Sequence, residues 1–223
     1  MQLVIGNKNY SSWSMRPWVL MKQLGIPFEE VKLRLDLNEG SAFRQAVARH
    51  SPAGLVPVLL DEGHAVWDTL AIAEYLAEKH PAVWPADRLQ RAHARSLAAE
   101  MHSGFGALRS HCPMNIEAQL PDAGRRVWAE QVGVQANVAR IEAAFATCLA
   151  HSGGPFLFGD FCATDAMYAP VCTRLATYAL PVSDITRGYM QRVMAAPGVA
   201  AWITDALAEQ DFLDFDEPYR KGR

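Results

Sequence analysis

Apolar and polar residues recur with two different periods along this chain, and the change of period divides it in two. Leu3-Val4-Ile5 is a short apolar strand closed by Gly6-Asn7. Beyond a serine-rich stretch, Trp18, Val19, Met21 and Leu24 form the apolar face of a helix that Gly25 stops. Pro17 belongs in a first turn, where its missing N–H costs nothing, so the helix is expected to begin within Ser12–Ser14. Phe28, Val31, Leu33 and Leu35 then alternate with Glu30, Lys32 and Arg34, the pattern of a half-buried strand. A weak helix around Ser41–Arg49 leads to a strand at Pro57, a turn at Glu62-Gly63, a strand at Ala65–Trp67 and a helix from Thr69 to His80. The first two strand–helix–strand connections predict parallel neighbours, and the Gly63 turn predicts an antiparallel hairpin. Residues 1–80 therefore read as an α/β domain, a small mixed sheet covered by helices.

Pro81-Ala82-Val83-Trp84-Pro85 is a stiff linker, residues 81–85, with an apolar anchor in Trp84. Beyond it every long segment has the helical period: Ala86–His111, Pro121–Ala150, Thr164–Tyr178, Ile185–Ala195 and Val199–Glu209. Residues 86–223 read as an all-α domain. The closing Asp211–Asp216 stretch alternates acids with Phe212, Leu213 and Phe215, and is expected to pack over a groove near the active site.

Composition narrows the function classes. Half of the 223 residues are apolar and a fifth are charged, with a net charge of −3, which argues against a general nucleic-acid or anionic-membrane binder. The opening residues lack a basic segment followed by a long apolar core, and no apolar run approaches the roughly 20 residues that cross a bilayer. Cys112, Cys148, Cys162 and Cys172 are far apart with no C-x-x-C pair, so reduced thiols in a cytoplasmic location are expected. His102, His111 and Cys112 lack the spacing of a metal site, and no metal is expected.

Two short segments carry chemistry. Pro57 stands directly before an apolar strand, and a cis bond there would turn Val56 so that its N–H and C=O face outward, able to hold another backbone by strand addition. Asp68-Thr69 opens a helix, where a hydroxyl and free N–H groups suit a carboxylate. Clamp and nest together read as a site for a short acidic peptide.

This order of elements, with Ser51-Pro52-Ala53-Gly54-Leu55-Val56-Pro57, the Asp68-Thr69 pair and Gly159-Asp160-Phe161-Cys162-Ala163-Thr164-Asp165, resembles the soluble glutathione transferase superfamily over almost the whole chain. Cys162 stands where a capping Ser or Thr is expected, and a thiol is the weaker acceptor. Ser11-Ser12-Trp13-Ser14-Met15-Arg16 is similar to the Ser-Ser-Cys-x-x-Arg motif of the zeta class, the maleylacetoacetate isomerase branch, with Trp13 at the cysteine position. The resemblance implies a thioredoxin-like first domain with a four-stranded sheet, glutathione as co-substrate, a small electrophile as second substrate, a detoxification role and a homodimer. It makes Leu55, Val56, Pro57, Asp68 and Thr69 the glutathione-binding residues. Ser11, Ser12 and Arg16 become the catalytic candidates, and Met101, Phe105 and Arg109 line the acceptor pocket.

The chemistry is quantitatively within reach of one hydroxyl. Lowering a thiol pKa by about two units from ~8.5 requires about 2.7 kcal/mol of preferential thiolate stabilisation. A hydrogen bond to a charged acceptor supplies about 1.5–3 kcal/mol, and a helix N-terminus about 0.3–1 kcal/mol. From the residues alone Ser12 or Ser14 is as readily a helix N-cap, and the Tyr10 phenol is a rival donor. Transferase, glutathione-dependent isomerase or dehalogenase, and a non-catalytic binding protein on the same fold are the three readings.

Overall fold

The computed structural model describes all 223 residues. Strand β1 (Gln2–Ile5) is followed by α1 (Ser12–Gln23), β2 (Glu29–Lys32), α2 (Ala42–Ala48), β3 (Val58–Asp61), β4 (His64–Trp67) and α3 (Thr69–Ala77). The four strands form one mixed sheet in the order β2-β1-β3-β4. β1 pairs parallel with β2, as a strand–helix–strand unit requires, and β3 pairs antiparallel with β4 through the Gly63 turn. The second connection departs from the expected topology. The chain leaving β2 crosses β1, so β3 lies on the far side of β1 and runs antiparallel to it, with Val4 opposite Val58. That choice puts the apolar Val58 and Leu59 in the middle of the sheet, both fully buried, and leaves the Glu-rich β2 as an edge.

Only helices follow: α4 (Arg88–Ser103), α5 (Gly106–His111), α6 (Pro121–Glu130), α7 (Val132–His151), α8 (Ala163–Thr177), α9 (Asp184–Ala195) and α10 (Pro197–Glu209). Two long helices expected from periodicity are each broken. The 86–111 run ends at Ser103, because Gly104 is extended and Phe105 is left-handed (φ 57°). The 121–150 run breaks at Gln131, which caps one helix and starts the next. Periodicity survives a break of one or two residues, so the sequence pattern did not reveal either. Trp84, the apolar anchor of the linker, is buried, 4% exposed.

α1 holds the molecule together. Ser12 and Ser14 through Met21 are buried, and the helix packs against α3 on one side and against α8 and α10 on the other. Gly198 at the start of α10 makes the close approach possible: a Cβ there would meet the Val19 carbonyl oxygen at 2.8 Å. Trp18 and Trp202 meet edge to face at 5.3 Å, with the Lys8 ammonium 4.4 Å above the Trp18 ring. Pro17 is the sixth residue of α1 rather than a first-turn residue, so its missing N–H leaves the Trp13 carbonyl without an i+4 donor.

The cap of α8 works through Asp165. Its carboxylate accepts the Cys162 N–H at 3.0 Å, the Leu157 N–H at 3.1 Å and the Tyr189 hydroxyl at 2.8 Å. Three donors hold a fully buried carboxylate in place, so a thiol at the cap position is tolerated.

Candidate active site

Leu55, Val56, Pro57, Asp68 and Thr69 converge on one cavity of about 310 Å³, which Ala53, Trp67, Trp13 and His102 complete. The Val56–Pro57 peptide bond is cis. Val56 lies outside the strands, and neither its N–H nor its C=O is bonded within the chain, so a donor–acceptor pair stands free at the cavity wall. Asp68 takes a positive φ of 76°, uncommon for a residue with a side chain, and caps α3 by accepting the Leu70 N–H at 2.9 Å. This strained cap presents Thr69 and the remaining free N–H groups of the helix start to the cavity.

His102, on the last turn of α4, closes the cavity from the helical side. Its Nε2 is 3.4 Å from Asp68 Oδ2, its Nδ1 is 3.5 Å from Thr69 Oγ1, and its ring meets Trp13 edge on at 5.2 Å. No local pattern signals this role, because an isolated histidine on a helix becomes a site residue only through the docking of α4 against α3.

The helix-entrance candidates are placed differently from the clamp. Ser11, rather than Ser12 or Ser14, is the N-cap of α1: its Oγ accepts the Ser14 N–H at 3.4 Å and donates to Ser14 Oγ at 2.8 Å. Ser14 Oγ in turn accepts the Gly6 N–H at 3.0 Å. Ser12 faces the helical half, where it accepts from Arg174 at 3.1 Å. Arg16 is buried beneath Trp13, its guanidinium 4.2 Å from the ring centre. Trp13, at the motif's cysteine position, is the α1 residue that lines the cavity.

Of the acceptor-pocket candidates, Met101 is fully buried and Phe105 packs toward Tyr168 at 6.4 Å. The break at Gly104 removes the shared helical face that their spacing suggested. Arg109 donates to the carbonyls of His102 and Gly104, tying that break together, and lies 5.2 Å from the Trp13 ring centre. All four cysteines are buried and unpaired, and burial raises the Cys112 thiol to about 12 and the Cys148 thiol to about 11. None of them lines the cavity. No group of three or more His, Cys, Asp or Glu is gathered as a metal ion would need.

The C-terminal segment packs over the loop that leads into α1. Asp211 accepts from Arg34 at 2.8 and 3.0 Å and from Asn7 at 3.0 Å, and Leu213 is buried with Tyr10, Leu35, Phe43 and Val47. Tyr10 donates to Glu217 at 2.7 Å; burial, reinforced by that carboxylate, pushes its phenol up to about 12. Tyr10 is thereby committed to the tail.

The arrangement is an unpaired backbone donor–acceptor pair and a helix start in one cavity beside a four-stranded mixed sheet, with a helical half closing the cavity over them. The sequence profile of the Glutathione S-transferase, N-terminal domain, matches residues 10–79, and that of the Glutathione S-transferase, C-terminal domain, residues 86–205. The chain belongs to the glutathione S-transferase family. It is 33% identical over 101 residues to a probable maleylacetoacetate isomerase of Caenorhabditis elegans, covering 44% of this chain and 45% of that protein. It is 29% identical over 123 residues to the maleylacetoacetate isomerase of Mus musculus, covering 54% and 55%. The matched stretches thus span about half the length of these curated relatives. Among solved structures, a glutathione transferase homologue from Burkholderia gl BGR1 with bound glutathione superimposes with a TM-score of 0.69 at 26% identity, over 92% of this chain and 97% of that one. No helix of the chain is long and apolar enough to cross a membrane.

Asp216 allows a test of how the tail is seated. Its carboxyl group makes no hydrogen bond, and burial raises it from 3.8 to about 6. A raised folded-state value means that the folded protein holds the proton more tightly than the unfolded chain. Its contribution is fully present below about pH 4 and is lost as pH rises through 6. Asp216→Asn should therefore raise stability by about 1–2 kcal/mol at pH 7.5, after discounting for its partial exposure, and leave it unchanged at pH 4. Urea unfolding at the two pH values measures this.

Proposed function

We propose that this chain is a glutathione-dependent transferase that binds the tripeptide in the cavity between sheet and helices and activates its thiol for attack on a small electrophile. The observation that carries the reading is the unpaired Val56 backbone beside the Asp68-Thr69 helix start, within one cavity. The cysteinyl backbone would pair with Val56 N–H and C=O as an added strand. The γ-glutamyl carboxylate would take the Thr69 hydroxyl and the free N–H groups of α3, favoured by the helix dipole. Asp68, half in solvent, suits the γ-glutamyl ammonium, and His102 bridges Asp68 and Thr69 from the helical side.

Ser11 is the proposed thiolate donor. Hydroxyl protons rotate, so the Ser11–Ser14 bond can reverse when a thiolate arrives: Ser14 then donates to Ser11, and the Ser11 proton is released to sulfur. The Gly6 N–H keeps Ser14 Oγ bonded in either state. The relatives named maleylacetoacetate isomerase support an isomerase as the second reading, although Trp13 replaces the motif's cysteine. We further propose a homodimer and a cytoplasmic location. The exposed Trp67 on the edge strand β4 and the exposed Leu89 at the start of α4 support the dimer, and four unpaired cysteines support a reducing compartment.

Reduced glutathione at about a hundred times its dissociation constant should add about 2.7 kcal/mol of stability. Titration calorimetry and thermal melting check this; no heat and no melting shift at about ten millimolar would leave a non-catalytic interaction protein as the reading. With Ser11→Ala, glutathione binding should change little while the bound thiol pKa rises by about one to two units. Turnover of an aryl halide at pH 7 should fall about ten- to a hundredfold and recover partly as pH rises. Ser12→Ala and Tyr10→Phe serve as controls, since Arg174 and Glu217 hold those hydroxyls elsewhere. Thiolate absorbance would reassign the donor if a control, and not Ser11→Ala, raised the pKa. Light scattering in the micromolar range should give twice the chain mass of 24.6 kDa; the single-chain mass would refute the dimer.

A further inference from the structure

The junction between α1, α5 and α8 holds three arginines and no counter-ion. Arg16 is 1% exposed and Arg174 is 4% exposed, and the Arg16 and Arg109 guanidiniums lie 4.2 and 5.2 Å from the centre of the same Trp13 ring. The three occupy one electrostatic neighbourhood: Arg16 is repelled by both others, and Arg174 by Arg109. None of them takes part in any ion pair of the chain. Their existing hydrogen bonds go to neutral groups. Arg16 Nε donates to the Met167 carbonyl at 3.3 Å, and Arg174 donates to the Cys112 carbonyl at 2.9 Å and to Ser12 Oγ at 3.1 Å. Arg109 donates to the carbonyls of His102 and Gly104. Four buried guanidinium nitrogens are left with no acceptor: both Nη atoms of Arg16, Nη1 of Arg109 and Nη1 of Arg174.

Buried cations without an acid are among the least favourable arrangements a core can hold, and buried donors without acceptors add to the penalty. The acids that act on this cluster do so from beyond ion-pair distance, Asp68 on Arg16 and Asp216 on Arg174. We propose that Arg16, Arg109 and Arg174 form an anion site beneath Trp13, which takes a small monovalent anion, a halide or a carboxylate, on the four unpartnered guanidinium nitrogens. The site is distinct from the peptide clamp. Trp13 separates the two, with Arg16 on its ring and the cavity and His102 beside it. Four carbonyls, a serine hydroxyl and an indole ring hold the guanidiniums in place, so the anion meets pre-positioned forks rather than mobile side chains. A bulky anion cannot enter a site this buried.

The test is made on the whole protein without glutathione, so that the anion site and the glutathione reading fail separately. Thermal melting is followed in sodium gluconate, chloride, bromide and acetate at matched ionic strength. A saturable rise of about 5–10 °C over gluconate is expected at about a hundred times the dissociation constant, with a change in tryptophan fluorescence from Trp13. A rise with both halides and acetate assigns a general small-anion site; a rise with acetate alone assigns a carboxylate site. Equal melting in all four salts overturns the proposal. Arg16→Met should melt no lower than the wild type in gluconate and lose the anion response; an undiminished response in this variant overturns the assignment. Should the variant not fold, anomalous diffraction from wild-type crystals soaked in bromide decides. A bromide peak among the three guanidiniums supports the site, and its absence refutes it.

Discussion

The burial of α1 on every side is the constraint on which this structure depends. An ordinary surface helix buries one stripe, whereas here polar Ser12, Ser14 and Arg16 are buried together with Met15, Trp18, Val19, Leu20 and Met21. Each polar group must then find its partner inside the protein, and the partners come from both halves. Ser14 is held by Gly6 at the end of β1, Ser12 by Arg174 of α8, and Arg16 by the Met167 carbonyl of α8. The sheet and the helical half are therefore bound to one element, and the N-terminus of that element stands at the cavity. The cavity there is lined from both: Val56 comes from the loop entering β3, and His102 from the helices.

The approach to α1 is fixed from the far end of the chain. Glu209 accepts the N–H groups of Lys8 and Asn9 at 3.0 and 3.2 Å, and Lys8 pairs with Glu30 and Asp205. With Asp211 on Asn7 and Glu217 on Tyr10, four acidic residues near the C-terminus saturate the donors of a single loop. Loop backbone that would otherwise be left unpaired on burial is satisfied by carboxylates, which hold it more tightly than neutral acceptors would. The same network ties up one hydroxyl beside α1: the Tyr10 phenol donates to Glu217, and burial together with that carboxylate pushes it away from ionisation.

Two buried charged groups illustrate what the interior accepts and what it leaves open. Asp165 collects three donors, from the loop before α8, the α8 cap and α9, and is fully satisfied. The Arg16, Arg109 and Arg174 cluster has no such closure, although its side chains are as firmly held by carbonyls and by Trp13. The contrast is one of supply. Carbonyl oxygens satisfy part of each guanidinium fork, but only a negative charge balances three cations in a low dielectric.

The strand and helix periods, the Val56-Pro57 pair and the Asp68-Thr69 start were legible in the sequence, because each rests on local backbone chemistry: a missing N–H, a capping carboxylate, an alternation of period two. The placement of β3 against β1 was not, since the connection through α2 is long enough to reach either edge of the parallel pair and burial of Val58 and Leu59 chose between them. The breaks at Gly104 and Gln131 escaped because the apolar pattern continues across them. Which serine caps α1, where Tyr10 points, and that His102 meets Asp68 and Thr69 depend on contacts between residues distant in sequence. So does the gathering of three arginines without an acid, because Arg16 lies 93 and 158 positions from Arg109 and Arg174. Sequence determined the elements and the clamp that local chemistry builds; packing of the two halves around α1 decided which polar groups were left free.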